Sequence, residues 1–142
     1  MVKPGSVAVV VQLNERKRHS RIGQPEAMMS KFVALVVEDD AFQREFLAEL
    51  LKGEGLDVVE CATGELAELV LVSTGPELRA LVTDIELGGE TSGVDLAQYA
   101  KRKFPDLNVV MVSGREPPYV PQDTRFLIKP YRPRELLDAV LG

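Results

Sequence analysis

Residues 32–40 read FVALVVEDD, from Phe32 through Val37 to Glu38, Asp39 and Asp40. Six consecutive apolar residues, three of them valine, fit a strand buried on both faces, as in a parallel sheet covered by helices. Three carboxylates follow at once. Asp40 is of helix-capping type, and Gln43 stands three residues on as its capping-box partner. Phe42, Phe46, Leu47, Leu50 and Leu51 then form an apolar stripe at helical spacing, which Gly53 or Gly55 closes.

The same unit recurs downstream. Asp57–Cys61 is a second short strand, and Thr63 caps a helix running to Val72 that Gly75-Pro76 ends. Leu78–Thr83 is a third strand. A Gly-rich turn, Leu87–Gly93, leads to a helix capped by Ser92 with Asp95 as its box partner. Lys101, Arg102 and Lys103 complement that helix's negative end before Pro105. Asn108–Val112 and Arg125–Ile128 are strands four and five, and Pro133 opens a last helix carrying Leu136, Leu137, Val140 and Leu141. Between the last two strands, GREPPYVPQDT holds three prolines and little helical periodicity, so a loop is expected where a crossover helix belongs. Strands alternating with helices imply an α/β fold, a doubly wound parallel sheet with helices on both faces.

Composition bounds what such a fold can do. The chain has 142 residues, which fits one domain, and a formal net charge of −5. One cysteine, Cys61, excludes a disulfide framework and a cysteine zinc cluster, and is read as a small core hydrophobe. One histidine, His19, argues against a histidine triad or a multi-histidine metal site. Carboxylates must therefore carry any chemistry. Residues 1–30 sum to +3 and the remainder to −8, and an acidic body argues against nucleic acid as a partner. No apolar run is long enough to span a bilayer, so no membrane partner and a cytoplasmic setting are expected. VAVVVQL, residues 7–13, reads as one short strand at most, and NERKRHSRIGQPEA after it as a basic flexible tail. Residues 1–29 are accordingly set apart from a domain spanning 30–142. A translation start at Met28 or Met29 is an alternative to a native tail.

In a doubly wound sheet, ligands bind beyond the carboxyl ends of the strands. Glu38, Asp39 and Asp40 follow strand one, Asp84 follows strand three, Ser113 ends strand four and Lys129 ends strand five. All should meet on one rim. Carboxylates gathered there call for a hard divalent cation such as Mg²⁺. A lysine and a hydroxyl beside it suit a transferred phosphoryl group, whose oxygens need positive charge and donors.

VVEDD, LVTDIELGG, VMVSG and FLIKPY, in this order at strand ends, resemble the receiver domain of bacterial two-component response regulators. The resemblance runs from about Phe32 to Leu141. It implies a flavodoxin-like five-stranded sheet in the order 2-1-3-4-5, with helix four here replaced by the Pro-rich loop. It implies that Asp84 is the phosphoacceptor, that Glu38, Asp39 and Asp84 bind Mg²⁺ together with the backbone carbonyl of Glu86, and that Ser113 and Lys129 contact the phosphoryl group. Ser113 and Phe126 would be switch residues, and the Lys129–Pro130 peptide would be cis. Asp40 stays a cap. The implied protein is a single-domain response regulator rather than an enzyme. It would take its phosphoryl group from a sensor histidine kinase or phosphotransfer protein and act on an unidentified downstream protein, with a homodimer as an option and no cofactor-binding residues beyond those for Mg²⁺.

The chain departs from the pattern in two places. Gly88 stands where receivers commonly have proline, and the turn before Gly93 has one extra residue. The missing helix four removes part of the usual output face, so output is expected from a surface around the Pro-rich loop, Tyr119, Phe126 and Tyr131. Glu86 and Arg115, after the two active-site strands, are expected to pair and screen the phosphoryl group from water. Two other readings stand beside the first: a phosphate-independent pseudo-receiver scaffold, and a Mg²⁺-dependent enzyme resembling topoisomerase-primase domains that would use Glu38 with Asp84 and Glu86.

Overall fold

The computed structural model describes residues 9–12 and 33–142. Its elements are β1 Val9–Gln12, β2 Val33–Val37, α1 Ala41–Gly53, β3 Asp57–Cys61, α2 Gly64–Thr74, β4 Leu78–Asp84, α3 Gly93–Lys103, β5 Asn108–Ser113, β6 Arg125–Ile128 and α4 Pro133–Leu141, with a 3₁₀ turn at Gly75–Glu77. The five parallel strands lie in the order β3-β2-β4-β5-β6, which is 2-1-3-4-5 counted from Val33, as expected. A sixth strand, β1, adds to the β3 edge antiparallel, with Val9 opposite Cys61 and Gln12 opposite Val58. It lies within the short apolar run read as one strand. The flexible-tail reading of the rest of residues 1–29 falls outside the described residues.

The all-apolar strands make two cores because successive side chains leave a sheet on opposite faces. Ala34 and Val36 of β2 join Leu47 and Leu51 of α1 and Leu136 and Val140 of α4 on one face. Leu35 and Val37 join Ala67 and Leu71 of α2 and Leu96 and Ala100 of α3 on the other. Cys61 is fully buried in the second core, where burial pushes its thiol up to about 12. It behaves as the small hydrophobe expected.

Local chemistry sets most helix boundaries. The Ser92 hydroxyl accepts from Asp95 N–H at 3.1 Å while the Asp95 carboxylate accepts from Ser92 N–H, the anticipated capping box. Thr63 caps α2 by accepting from Leu66 N–H at 3.1 Å. That helix continues to Thr74 rather than stopping at Val72, and the Ser73 and Thr74 hydroxyls donate back to carbonyls of the preceding turn. At α1 only half of the expected box forms. Asp40 Oδ1 accepts from Gln43 N–H at 2.9 Å, but the Asp40 N–H donates to Glu38 Oε2 and the Gln43 side chain turns to Lys129. Tertiary partners outcompete the local one. β4 and β5 each gain one residue over the sequence reading because Asp84 and Ser113 still pair, with Val112 and Ile128 respectively.

Residues 114–124 form bends and turns with no helix, so the expected loop stands where a fourth crossover helix would lie. Thr124 N–H closes a turn on the Pro121 carbonyl at 3.2 Å. Tyr119 is hydrogen-bonded to Gln98 of α3, which ties the loop to that helix.

Candidate phosphoacceptor and metal site

Four strand ends converge. Glu38 at the end of β2, Asp84 at the end of β4 and Ser113 at the end of β5 are all buried, at 1%, 6% and 1% exposure. The last four residues of β2, β4 and β5 are buried, so the groups at these ends project together into one hollow on the rim. Asp39, next in the chain after Glu38, is exposed at its mouth. Carboxylate oxygens of Glu38, Asp39 and Asp84 lie within 4.8 Å of one another.

Lys129, one residue past β6, spans the hollow. Its Nζ donates to Asp84 Oδ2 at 2.7 Å, to Glu38 Oε1 at 3.2 Å and to Gln43 Oε1 at 2.7 Å. Its backbone N–H donates to the Ser113 carbonyl at 2.7 Å, and the peptide to Pro130 is cis as expected. Asp84 Oδ1 accepts from Glu86 N–H at 2.9 Å, which folds the following loop back over the carboxylate. Ser113 Oγ accepts from Arg115 N–H at 3.3 Å.

One ammonium cannot offset three carboxylates. Burial, foremost, and the neighbouring Asp84 carboxylate push Glu38 up to about 7, against the pull of the Asp40 N–H and of Lys129. For Lys129, burial opposes the charge, but the hydrogen bond to Asp84 and the charges of Glu38 and Asp84 outweigh it and raise the group above the usual lysine range. Three hard oxygen donors in a half-closed hollow with surplus negative charge are the donor set that suits Mg²⁺, with water or phosphate oxygens completing its shell.

Every residue singled out from the sequence is accounted for. Glu38, Asp39, Asp84, Ser113 and Lys129 share the rim. Glu86 is beside it, and its side chain pairs with Arg115, Oε2 to a guanidinium nitrogen at 2.6 Å. Phe126 is half-buried against the core on the α2–α3 side. Asp40 is a cap and not a member of the acidic group. Two residues were missed. Gln43 holds Lys129, and Arg44 donates to the Glu38 carbonyl at 2.8 Å while facing Glu60 at 3.6 Å. Both lie on the first turn of α1, and nothing in their local spacing distinguishes them from solvated helix residues.

Five parallel strands in a doubly wound sheet, with an acidic rim, a lysine across it and a buried serine, are the features of the receiver class of protein. Comparison places the chain there: residues 34–141 match the response regulator receiver domain, and the chain belongs to that family. It is 36% identical over 129 residues to Nodulation protein W of Bradyrhizobium diazoefficiens, covering 84% of this chain and 54% of that one. It is 30% identical over 112 residues to the response regulator receiver protein CpdR of Brucella abortus, covering 75% of this chain and 91% of that one. A response regulator receiver protein from Sinorhizobium medicae superposes with a TM-score of 0.72 at 26% identity, covering 77% of this chain and 90% of that structure. The chain spans about half the length, 54%, of the first of these relatives. No described helix is long and apolar enough to cross a membrane.

Proposed function

We propose that this chain is a phosphoryl-accepting signalling module in which Asp84 takes the phosphoryl group from a phosphohistidine of a sensor kinase or phosphotransfer protein. The observation that carries the proposal is the contact of Lys129 Nζ with Asp84 Oδ2 at 2.7 Å inside a group of carboxylates that needs a further cation. A buried aspartate held that way is oriented as a nucleophile, and its neighbour is a ready donor for a phosphoryl oxygen.

An Asp84 carboxylate oxygen attacks phosphorus. As the new O–P bond forms, the N–P bond of the donor breaks and the imidazole nitrogen keeps the electron pair and takes up a proton. Lys129 shifts one of its donors from the carboxylate to a transferred oxygen. The Ser113 hydroxyl, now only an acceptor for Arg115 N–H, can turn its proton to a second oxygen. Glu38, Asp39, Asp84 and the Glu86 carbonyl would hold Mg²⁺, which supplies charge neutralisation for the in-line displacement. Ser113 and Lys129 are joined through the Ser113 carbonyl, so movement of the serine is felt by the loop after β5 and by β6, where Phe126 lies. Such movement would bias the exposed surface that a downstream protein reads.

Intact-mass measurement after incubation with acetyl phosphate and Mg²⁺ tests the reading. One added phosphoryl group on the wild type, absent from Asp84→Asn, is the expected result. No adduct on a protein that binds Mg²⁺ would favour the pseudo-receiver reading. Membership of the receiver family leaves the nucleic-acid-cleaving alternative without support, and Mg²⁺-dependent plasmid nicking is the result that would restore it.

A further inference from the structure

The loop that carries Glu86 is gripped from outside the site. Glu65, the second residue of α2, lies in no contact with the acidic rim. Its Oε2 accepts from Glu90 N–H at 3.0 Å and from Thr91 N–H at 3.0 Å. Two consecutive backbone donors aimed at one carboxylate oxygen form an anion-holding concavity, here filled by a side chain of the same chain. Three further features make this a built fixture. Thr91 Oγ1 donates to Glu68 Oε1 at 3.0 Å, one helical turn on. Gly89 adopts φ +97, and a Cβ there would come within 3.0 Å of Glu65 Oε1. Gly64 leaves room for the Thr91 carbonyl, which a Cβ would approach to 2.8 Å.

At its other end the loop is fixed against the site. Gly93 N–H donates to the Ile85 carbonyl at 2.9 Å, and Gly88 lies beside Asp39, its notional Cβ 3.6 Å from Asp39 Oδ2. The segment between Asp84 and Gly93 is thus held both at the β4–α3 junction and by the Glu65 carboxylate. Asp84 Oδ1 also accepts from Glu86 N–H, Glu68 accepts from the Thr91 hydroxyl, and Glu86 pairs with Arg115, but Glu65 is the side chain that takes the backbone N–H groups of Glu90 and Thr91. The hydrogen bonds from its own N–H and from Thr91 and Glu90 hold the Glu65 carboxyl below the usual glutamate range, so the anchor stays ionised throughout the working range of pH.

We infer that Glu65 is a positioning residue for the metal half of the site: by gripping the N–H groups of Glu90 and Thr91 it holds the loop so that Gly88 stays beside Asp39 and the Glu86 backbone, whose N–H donates to Asp84 Oδ1, stays on the Asp84 carboxylate. The inference rests on the phosphoacceptor reading of that site.

The test compares wild type, Glu65→Ala and Glu65→Gln, none of which alters a metal ligand. Mg²⁺ affinity is measured by calorimetry, and the rate of phosphorylation by acetyl phosphate is measured at low and at saturating Mg²⁺. Glu65→Ala is expected to raise the Mg²⁺ Kd about tenfold, the low end of what loss of outer support costs a metal site. Saturating Mg²⁺ should restore the alanine variant's rate to near the wild-type value. Glu65→Gln, whose amide oxygen accepts the same two N–H groups, should stay close to wild type in both. An unchanged Kd in Glu65→Ala overturns the inference, as does a glutamine variant as defective as alanine, or a rate loss that Mg²⁺ does not repair. If the wild type itself neither binds Mg²⁺ nor takes a phosphoryl group, the functional reading fails and takes this inference with it. If it does both and Glu65→Ala matches it, the inference alone falls.

Discussion

Lys129 holds the two buried carboxylates apart from one another's repulsion, and its removal separates two properties that travel together in the wild type. Lys129→Met deletes a charge-assisted contact to Asp84 and Glu38, a type of bond worth about 1.5–3 kcal/mol. Phosphorylation by acetyl phosphate should slow by roughly ten- to a hundredfold on that basis. The Mg²⁺ Kd should fall instead, since the competing ammonium is gone. Stopped-flow and calorimetry read the two quantities, and an unchanged rate or a higher Mg²⁺ Kd would contradict the assigned role. The Glu86–Arg115 pair, expected from the sequence and present at 2.6 Å, is exposed on both sides. An exposed pair contributes under about 1 kcal/mol, so Glu86→Ala and Arg115→Ala should each shorten the phospho-Asp84 half-life only about threefold. A lifetime unchanged in both would show that the pair does not shield the phosphoryl group. The convergence of Glu38, Asp39, Asp84, Ser113 and Lys129 on one rim was legible because each residue closely follows or ends an apolar run. Gln43 and Arg44 were not, because a helix's first turn does not reveal which of its polar residues faces across to another strand.

At the scale of elements, the turn from β4 into α3 is the most tightly constrained piece. A Cβ on Gly93 would lie 2.0 Å from the Asp84 carbonyl oxygen and 2.6 Å from Ile85 Cα, both backbone atoms that cannot yield. Gly93→Ala should therefore cost about 1–3 kcal/mol in urea unfolding, as overpacking does, and should slow phosphorylation by shifting Asp84. Gly53→Ala, in the last turn of α1 with nothing within 4 Å, is the control: it should leave phosphorylation unchanged and raise stability by up to about 1 kcal/mol. Helices and strands were placed correctly from periodicity and caps, with end errors of one or two residues. Those errors have one cause: strand ends and last turns persist as long as a partner carbonyl or strand is in reach, which local sequence does not record. The incomplete box at Asp40 is the same effect, with Glu38 and Lys129 taking the groups that the local motif would have used.

Over the whole molecule, proton and metal compete for one buried acid. Glu38 stands at about 7 in the folded protein against 4.5 for the free group. Its folded pKa is raised, so its contribution to stability is fully present below the unfolded value and is lost as pH rises from near 4.5 through about 7. Mg²⁺ binds the ionised form and should offset that loss. The rise in Tm on adding Mg²⁺ should thus grow from pH 5.5 to pH 8, a shift that differential scanning calorimetry reads directly. A Mg²⁺ effect that is constant over that range would exclude Glu38 as a ligand. What the sequence by itself determined is the α/β alternation, the absence of a fourth crossover helix and the identity of the rim residues. Apolar runs, caps and prolines act locally, and a fold built from βα units sends every strand end to one side. Only the tertiary structure decided that Lys129 touches Glu38 and Asp84 together, that β1 joins the β3 edge, and that Glu65 holds the loop after Asp84. These are contacts between residues 25 to 91 positions apart, or pairings of an edge open to any strand. No local pattern encodes them, because the packing of whole elements brings such partners within reach.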